Sequence, residues 1–275
     1  MAVAPSAGRG PPSPASSVPR VPRWALAAGL GVGGALVVAL VGTGVIPLFV
    51  GSPGASVPYS TADRAATASL APPGNGSWAL VGALGLDDRS AGTVAVANLT
   101  AALSSGCTAT PLAGAPASGE LYLPAFAGAF SAGVAPVWLV LFEATTAGPY
   151  AVVAVLNGSA APLVELAGGS CELEGGGVHV LPSDAVDSPP VAQNVWSAGG
   201  SSWTAVDPSL TSVLFAVAGG GTYDGISISA TWAVLYAPCD PLLGGPTHAT
   251  GYLAVVGLTS AAVEETLGTT VDCPA

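Results

Sequence analysis

VWLVLFEATTAGPYAVVAVLNG, residues 137–158, contains two apolar runs separated by a short turn sequence. Both runs are rich in Val, Leu and aromatic residues, which fit a pleated and largely buried surface. The Thr-Thr-Ala-Gly-Pro segment between them supplies residues that favour turns. The pattern predicts a β-hairpin with strands at 137–143 and 150–158, after which the chain turns toward a further strand at 162–166.

A similar order of segments recurs in the second half of the chain. Three pairs of predicted strands, each introduced by an aromatic residue or by Ser-Trp, match in the same order: residues 77–81 with 202–206, 138–142 with 232–236, and 150–156 with 252–258. Such self-similarity indicates a tandem duplication. The predicted fold class is therefore α+β, with two tandem, duplicated modules that contain antiparallel sheets. Module 1 is placed at 59–178 and module 2 at 179–275.

Helices are expected beside these strands. The predicted helical ranges are 60–70, 90–103, 188–198 and 208–218. The third range follows Asp187-Ser188-Pro189, in which a capping residue precedes prolines that fit a first helical turn. Gly199-Gly200 is expected to end that helix, and Asp207-Pro208 to begin the next.

Residues 24–50, WALAAGLGVGGALVVALVGTGVIPLFV, carry no charge. About 20 apolar residues suffice for a helix that crosses a bilayer, so this run predicts a single transmembrane helix. Arg20 and Arg23 precede it and no positive charge follows before Arg64, which places the N-terminus in the cytoplasm and the rest outside. The proline-rich residues 1–23 are then a disordered cytoplasmic tail.

Two features around the apolar run leave alternatives open. Residues 51–58 are predicted to form a linker, and Ala55 lies near a small-residue site where a signal peptide could be cleaved. Cleavage would release a secreted protein, although the apolar run is longer than a signal-peptide core. Gly29 and Gly33 form a GxxxG spacing that is compatible with self-association, and the same spacing arises by chance in a segment rich in Gly and Ala.

The charges divide at the predicted membrane segment. Beyond it lie two arginines and all sixteen Asp and Glu residues, a balance of −14, and the chain contains no Lys. Such a surface repels phosphate backbones, so nucleic acid is excluded as a partner. The expected partners are the lipid bilayer, through residues 24–50, and an extracellular ligand or envelope protein.

The cysteines predict disulfides. Cys107, Cys171, Cys239 and Cys273 all lie in the predicted exterior, and none belongs to a C-x-x-C motif or lies beside the histidine pairs that zinc sites use. Among the three possible connectivities we favour Cys107–Cys171 with Cys239–Cys273, because each bridge then closes within one module. An oxidising compartment makes and keeps such bonds.

Three of the four asparagines lie in N-x-S/T sequons, namely Asn75, Asn98 and Asn157. An occupied sequon belongs on the surface of an extracellular protein, so the chain is predicted to be a glycoprotein. Asn157 is the best candidate because it falls at a predicted turn.

The sequence contains few side chains of the types that commonly act in catalysis or bind metals. We assign no catalytic, cofactor-binding or metal-binding residue. Glu172, Glu174 and His179 could bind a divalent metal if the intervening glycines folded the loop back, but a solvated acidic turn is the simpler interpretation. The pairs Asp87-Asp88 and Glu264-Glu265 are expected to be hydrated. No cofactor is expected.

The sequence thus indicates a single-pass surface protein whose exterior part binds or adheres, or belongs to the cell envelope, without catalysing a reaction. One alternative is a membrane-anchored extracellular hydrolase whose site is assembled from distant residues. Another is a secreted protein released by signal cleavage. Whether the protein is an enzyme is left open by its motifs, since none of the common catalytic patterns occurs.

Overall fold

One antiparallel sheet of nine strands organises the part of the chain that the structure describes. The computed structural model describes residues 56–273 apart from gaps at 75, 89–91, 126–127, 146–147, 174–176, 179, 207–211, 220, 224–225, 229 and 240–246. The strands of the large sheet are β1 (Trp78–Asp88), β4 (Thr108–Pro111), β6 (Val137–Ala144), β7 (Tyr150–Leu156), β8 (Ser159–Ala167), β11 (Ser212–Ala218), β14 (Thr231–Ala237), β15 (Thr247–Gly257) and β16 (Val263–Cys273).

The other elements are shorter. The minor strands are β2 (Gly92–Ala95), β3 (Ser104–Ser105), β5 (Glu120–Leu123), β9 (Glu172–Leu173), β10 (Gly177–Val178), β12 (Gly221–Tyr223) and β13 (Ile226–Ile228). The helices are α1 (Tyr59–Ser69), α2 (Val96–Leu103), α3 (Ser188–Val195) and α4 (Ser201–Val206), with a 3₁₀ turn at Phe130–Ala132 and a π turn at Trp196–Gly200. The described residues are thus mostly β-sheet with a few helices, which confirms the α+β class with antiparallel sheets.

The large sheet has the strand order β16-β15-β14-β11-β1-β6-β7-β8-β4. Its two inner strands, β1 and β11, pair antiparallel from Gly82 with Ala218 to Asp88 with Ser212. On one side follow β6, β7 and β8, and on the other β14, β15 and β16, each group in sequence order. The predicted hairpin is confirmed, because β6 and β7 pair from Val137 with Leu156 to Glu143 with Tyr150.

Both faces of the large sheet are covered, which explains why its strands are apolar at successive positions rather than at alternate ones. In β6, Trp138, Val140 and Phe142 belong to one buried cluster, and Leu139 and Leu141 belong to the other. Helices α1 and α3 cover the first face, through Ala62, Ala66, Val191, Ala192 and Val195. Helix α2 and the β2–β5 pair cover the second face, through Val94, Val96, Leu99, Leu103, Leu121 and Leu123.

Three predicted elements are wrong. Only the second part of the expected helix at 90–103 is helical, because its first part is strand β2, paired with β5. The expected helix at 208–218 contains strand β11 instead, whose residues from Ser212 to Val217 are all buried. A short apolar run does not distinguish a buried strand from a buried helix, and the Asp-Pro signal before it was misleading.

The third wrong element is the expected strand at 202–206. The chain does not stop at Gly199-Gly200 but passes through the π turn, with Gly199 at φ 159°, and resumes as helix α4. Trp203 is therefore helical, whereas Trp78 begins strand β1. The first of the three sequence matches does not correspond to a structural match.

The predicted anchor cannot be followed in the structure. The described residues do not include the predicted transmembrane segment 24–50, the predicted tail 1–23 or most of the predicted linker. None of the helices that the structure describes has the length and hydropathy to span a bilayer.

Candidate functional site

The predicted Cys107–Cys171 disulfide is present, with the two Cα atoms 4.2 Å apart. It joins the chain just before β4 to the chain just before β9 and closes a loop with a sequence separation of 64. Cys239 is also disulfide-bonded. The side chain of Cys273, its expected partner, lies outside the described part, so that second pairing stays a prediction.

The acidic segment weighed as a metal site is only partly described. Glu172 lies in the short strand β9, while Glu174 and His179 fall in gaps. Among the residues that the structure describes, no group of three or more His, Cys, Asp and Glu could hold a metal ion.

The two acidic pairs lie far apart. Asp87 is on β1 and Glu265 on β16, four strands away in the sheet. At about 4.8 Å per strand, at least about 19 Å separates them, well beyond the carboxylate spacing of glycoside hydrolases. Glu264 and Glu265 are exposed as expected, but Asp87 is fully buried, because β1 is an inner strand with both faces covered. The expectation that Asp87 is hydrated is therefore wrong.

The sequons occupy different local structures. Asn157 has a φ of 51° and, with Gly158 at 82°, forms the two-residue turn between β7 and β8. This backbone suits an Asn-Gly turn of type I′. Asn98 lies on helix α2, and Asn75 lies in a gap. Use of all three sequons stays a prediction.

The N-termini of α1 and α3 meet on the face of the large sheet that these two helices cover. Tyr59, Ser60, Asp187 and Ser188 form there what we call the helix junction. Asp187 is the N-cap of α3 and accepts the Ser188 N–H at 2.8 Å. The same carboxylate accepts the Ser60 N–H at 2.9 Å and the Ser60 hydroxyl at 2.6 Å. Since α1 begins after Pro58, which supplies no side-chain cap, Asp187 caps both helices.

A buried hydroxyl completes the helix junction. Ser188 Oγ accepts the Tyr59 N–H at 2.9 Å and donates to the Gly133 carbonyl at 2.6 Å. Ser188 is fully buried, so these bonds replace the water that its hydroxyl has lost. Gly133 has a φ of 65°, and a Cβ there would lie 2.4 Å from the Ser188 carbonyl oxygen. Only glycine permits this close approach.

Two buried indoles hold the chain that enters each helix. Trp138 Nε1 donates to the Val57 carbonyl at 2.9 Å, and Trp232 Nε1 donates to the Val186 carbonyl at 3.0 Å. Val57 and Val186 each lie immediately before the N-cap residue of α1 and α3, respectively. The two indoles also occupy equivalent positions as the second residues of β6 and β14.

Tyr59 lies between the two indoles. Its ring centroid is 5.9 Å from that of Trp138 and 5.3 Å from that of Trp232, with an edge-to-face geometry in the second pair. Such contacts contribute beyond the area they bury. Burial raises the pKa of the Tyr59 phenol, and the nearby carboxylates of Asp63 and Asp187 act in the same direction.

A second aromatic cluster lies under the π turn. Tyr236 contacts Trp196 and Tyr252, with ring centroids 6.1 and 6.0 Å away. A Cβ on Gly199 would lie 2.7 Å from the Tyr252 hydroxyl, so glycine allows the turn to approach the tyrosines. Burial raises the pKa of Tyr236, and Tyr252 and Asp87 raise it further.

Tyr150 and Tyr252, the third matched pair in the sequence, lie on opposite faces. Tyr150 packs against the cluster under α2, whereas Tyr252 packs against the cluster under α1 and α3. The strands β7 and β15 still correspond in the order of the sheet, so the sequence match identified the right strands with a register shifted by one residue.

The two ends of the large sheet differ. Strand β4 has four residues and ends at Pro111, and the disulfide-bonded Cys107 immediately precedes it. Strand β16 has eleven residues without proline, and among the described strands only β15 pairs with it. Its residues from Glu264 to Thr266, with Gly268 and Thr270, are exposed, and a Cβ on Gly268 would meet nothing within 4 Å.

Sequence reasoning recognised Asp187 as the cap of α3 but missed its role for α1. The contact partners are more than 100 residues apart in sequence, and no local pattern encodes such a pairing. The open edge of β16 was missed for the same reason, because strand order is set by long-range pairing. No protein-family model, curated protein or solved structure matches the chain.

Proposed function

We propose that this chain is a membrane-anchored protein whose extracytoplasmic part binds a partner and does not catalyse a reaction. Residues 24–50 serve as the anchor, and residues 1–23 stay in the cytoplasm. The partner is an extracellular ligand or another protein of the cell envelope.

The helix junction is the observation that supports the non-catalytic part of the proposal. It gathers a carboxylate, two hydroxyls and two helix N-termini, which are the groups that could serve an anion site or acid–base chemistry. Here Asp187 accepts three hydrogen bonds and Ser188 Oγ accepts one and donates one, all within the chain. These groups stabilise the fold and are not poised to act on a substrate.

The charge distribution favours a partner that is neutral or basic. The predicted exterior carries a balance of −14, which lowers the affinity for anionic surfaces and polymers. The Cys107–Cys171 bond supports an oxidising location, since cytosolic thiols are kept reduced.

The finer architecture of two duplicated modules is part of the same proposal. Each module would contribute a helix and four strands, α1 with β1, β6, β7 and β8, and α3 with β11, β14, β15 and β16. The two indole bonds support duplication, because Trp138 and Trp232 bind carbonyls at the same offset from a helix N-cap. A chance resemblance between apolar strands does not require matching long-range hydrogen bonds.

The test uses the full chain in lipid nanodiscs, exposed to an extract of the native envelope. We expect saturable retention of a partner that empty nanodiscs do not retain, at moderate salt. Absence of saturable retention would contradict the proposal, as would turnover of an envelope polymer by the purified chain. In intact cells, external protease should digest an epitope placed after residue 58 and spare one placed before residue 20.

A further inference from the structure

Strands β16 and β4 form the two edges of the large sheet, and the edge that β16 forms is the longer one. Natural sheets protect their edges with short strands, proline, charge, bulges or covering segments, because an open edge recruits further strands. Strand β4 uses two of these devices, since it has only four residues and ends at Pro111. Strand β16 has eleven residues and no proline.

The charged residues of β16 lie near its two ends, with Glu264 and Glu265 at the start and Asp272 at the end. Glu264 and Glu265 are exposed, and the pairing with β15 shifts at Val255 and Val256, which marks a bulge. The following stretch, 266–271 (TLGTTV), contains no charged residue. It pairs with β15 without interruption on its inner side, from Thr266 with Ala254 to Val271 with Ala249. No other strand that the structure describes pairs with the outer side of this stretch, which therefore presents a regular row of backbone donors and acceptors.

Gly268 gives the edge a place for a large side chain. It lies opposite Tyr252, so both residues face the side of the sheet that α1 and α3 cover. An aromatic side chain on an added strand, placed opposite Gly268, could lie over the glycine and beside the Tyr252 ring. Aromatic residues that cover an edge glycine stabilise designed sheets in the same way.

The charges indicate what kind of strand would pair. Two copies of this chain would bring the same acidic exterior together, so a second copy is disfavoured as the occupant. A basic side chain beside Glu264 and Glu265 would be attracted instead. On an added antiparallel strand, Glu265 lies opposite the position three residues after the one that faces Gly268. Glu264 lies opposite the position four residues after it.

We propose that the outer edge of β16 binds an extended peptide segment of a partner protein, which adds to the sheet as a tenth, antiparallel strand. The segment carries an aromatic residue opposite Gly268 and basic residues opposite Glu264 and Glu265. This inference rests on the proposed binding function and gives it a surface and a class of partner. Main-chain hydrogen bonds supply the affinity, and these side chains supply the specificity.

The test measures binding of the peptide TVTYVTKR, labelled with a fluorophore, to the full chain in nanodiscs by anisotropy. The peptide places Tyr opposite Gly268 and Lys-Arg opposite the two glutamates. We expect saturable binding that Gly268→Lys weakens at least tenfold, because a bulky charged residue occupies the open space and opposes edge pairing. Gly92→Lys is the matched control, since a Cβ on Gly92 also meets nothing within 4 Å. It should leave binding unchanged.

A charge exchange tests the orientation. The double variant Glu264→Lys with Glu265→Lys should bind TVTYVTKR several-fold more weakly at low salt, and should bind TVTYVTEE more tightly than the wild-type chain does. Glu120→Lys, on β5, is the control for a change of charge elsewhere. Hydrogen exchange of residues 266–271 should slow when the peptide binds, because their outer amides gain partners.

Several results would overturn the proposal. Peptide affinity that is equal in the wild-type and Gly268→Lys chains would remove the edge as the site. A wild-type dimer that Gly268→Lys dissociates would assign the edge to a second copy instead. Retention of an envelope partner by both chains equally would leave the binding function standing and reject this surface, whereas loss of all retention would reject both.

Discussion

The two halves of the large sheet have the same strand order but hold their helices differently. Helix α3 of the second half carries its own cap, Asp187, whereas α1 of the first half begins after Pro58 and relies on that same Asp187. The first half also has the Cys107–Cys171 bridge and the larger insertion between its first two strands. The comparison indicates that the first half depends on the second for its helix start.

The largest expected effect concerns the bridge in the first half. Replacing Cys107 and Cys171 together by Ser should lower the free energy of unfolding by about 4 kcal/mol, because the open loop regains entropy in the unfolded chain. Urea unfolding of the double variant and of the oxidised wild-type chain measures this. An unchanged midpoint would mean that the first half does not depend on the bridge.

The two indoles offer a direct comparison between the halves. Trp138→Phe and Trp232→Phe should each cost about 2–3 kcal/mol, because the indole hydrogen bond is lost and a small cavity remains. Equal losses would support structurally equivalent roles. A loss in only one variant, measured by thermal unfolding, would show that the similarity is geometric and not energetic. Trp78→Phe is a control, since the Trp78 indole bonds to the nearby Ala71 carbonyl and is less buried.

The shared cap should give an unequal result. Asp187→Ala removes the caps of both helices and should cost about 2 kcal/mol, whereas Ser60→Ala affects only α1 and should cost about 1 kcal/mol. Asp184→Ala, at an exposed position nearby in sequence, should change little. Amide exchange at the start of each helix would separate the contributions. Loss of protection in α3 alone after Asp187→Ala would contradict the dependence of α1 on Asp187.

The smallest effect concerns pH. The raised pKa of Tyr236 means that the folded chain holds its proton to higher pH than the unfolded chain does, where the ordinary value is 10.0. Its contribution to stability is complete below that value and is lost as pH rises above it. Tyr236→Phe should therefore make the decline in stability above about pH 10 less steep. Unfolding curves across that range test this, with exposed Tyr122→Phe as the control.

Local patterns predicted much of the sheet because its strands are long apolar runs between clear turns. Strands β6 and β7 and their hairpin were recognised in this way, and the Trp138–Trp232 match identified equivalent strands. The Trp78–Trp203 match failed, because the same Ser-Trp sequence begins a strand in one half and lies in a helix in the other. Similar short sequences do not adopt the same local structure when their tertiary packing differs.

The polar groups that long-range contacts bring together were harder to predict. Asp87 looks like part of a hydrated acidic pair in the sequence, but its place on an inner strand buries it beside Tyr236. The helix junction joins residues 127 and 129 positions apart. The Cys107–Cys171 pairing was predicted correctly because both cysteines lie within the same predicted module, which can be read from positions along the chain, unlike strand order.

The bridge between Val57 and Ala135 has a mechanical consequence. Val57 exchanges two backbone hydrogen bonds of 3.0 Å with Ala135, and its carbonyl also accepts the Trp138 indole N–H. A pull on the chain that precedes Val57 would therefore load the start of β6, one strand from the middle of the sheet, and would not peel an outer strand. Force would be shared across the inner strands, so the sheet could resist tension while the edge at β16 stays undisturbed.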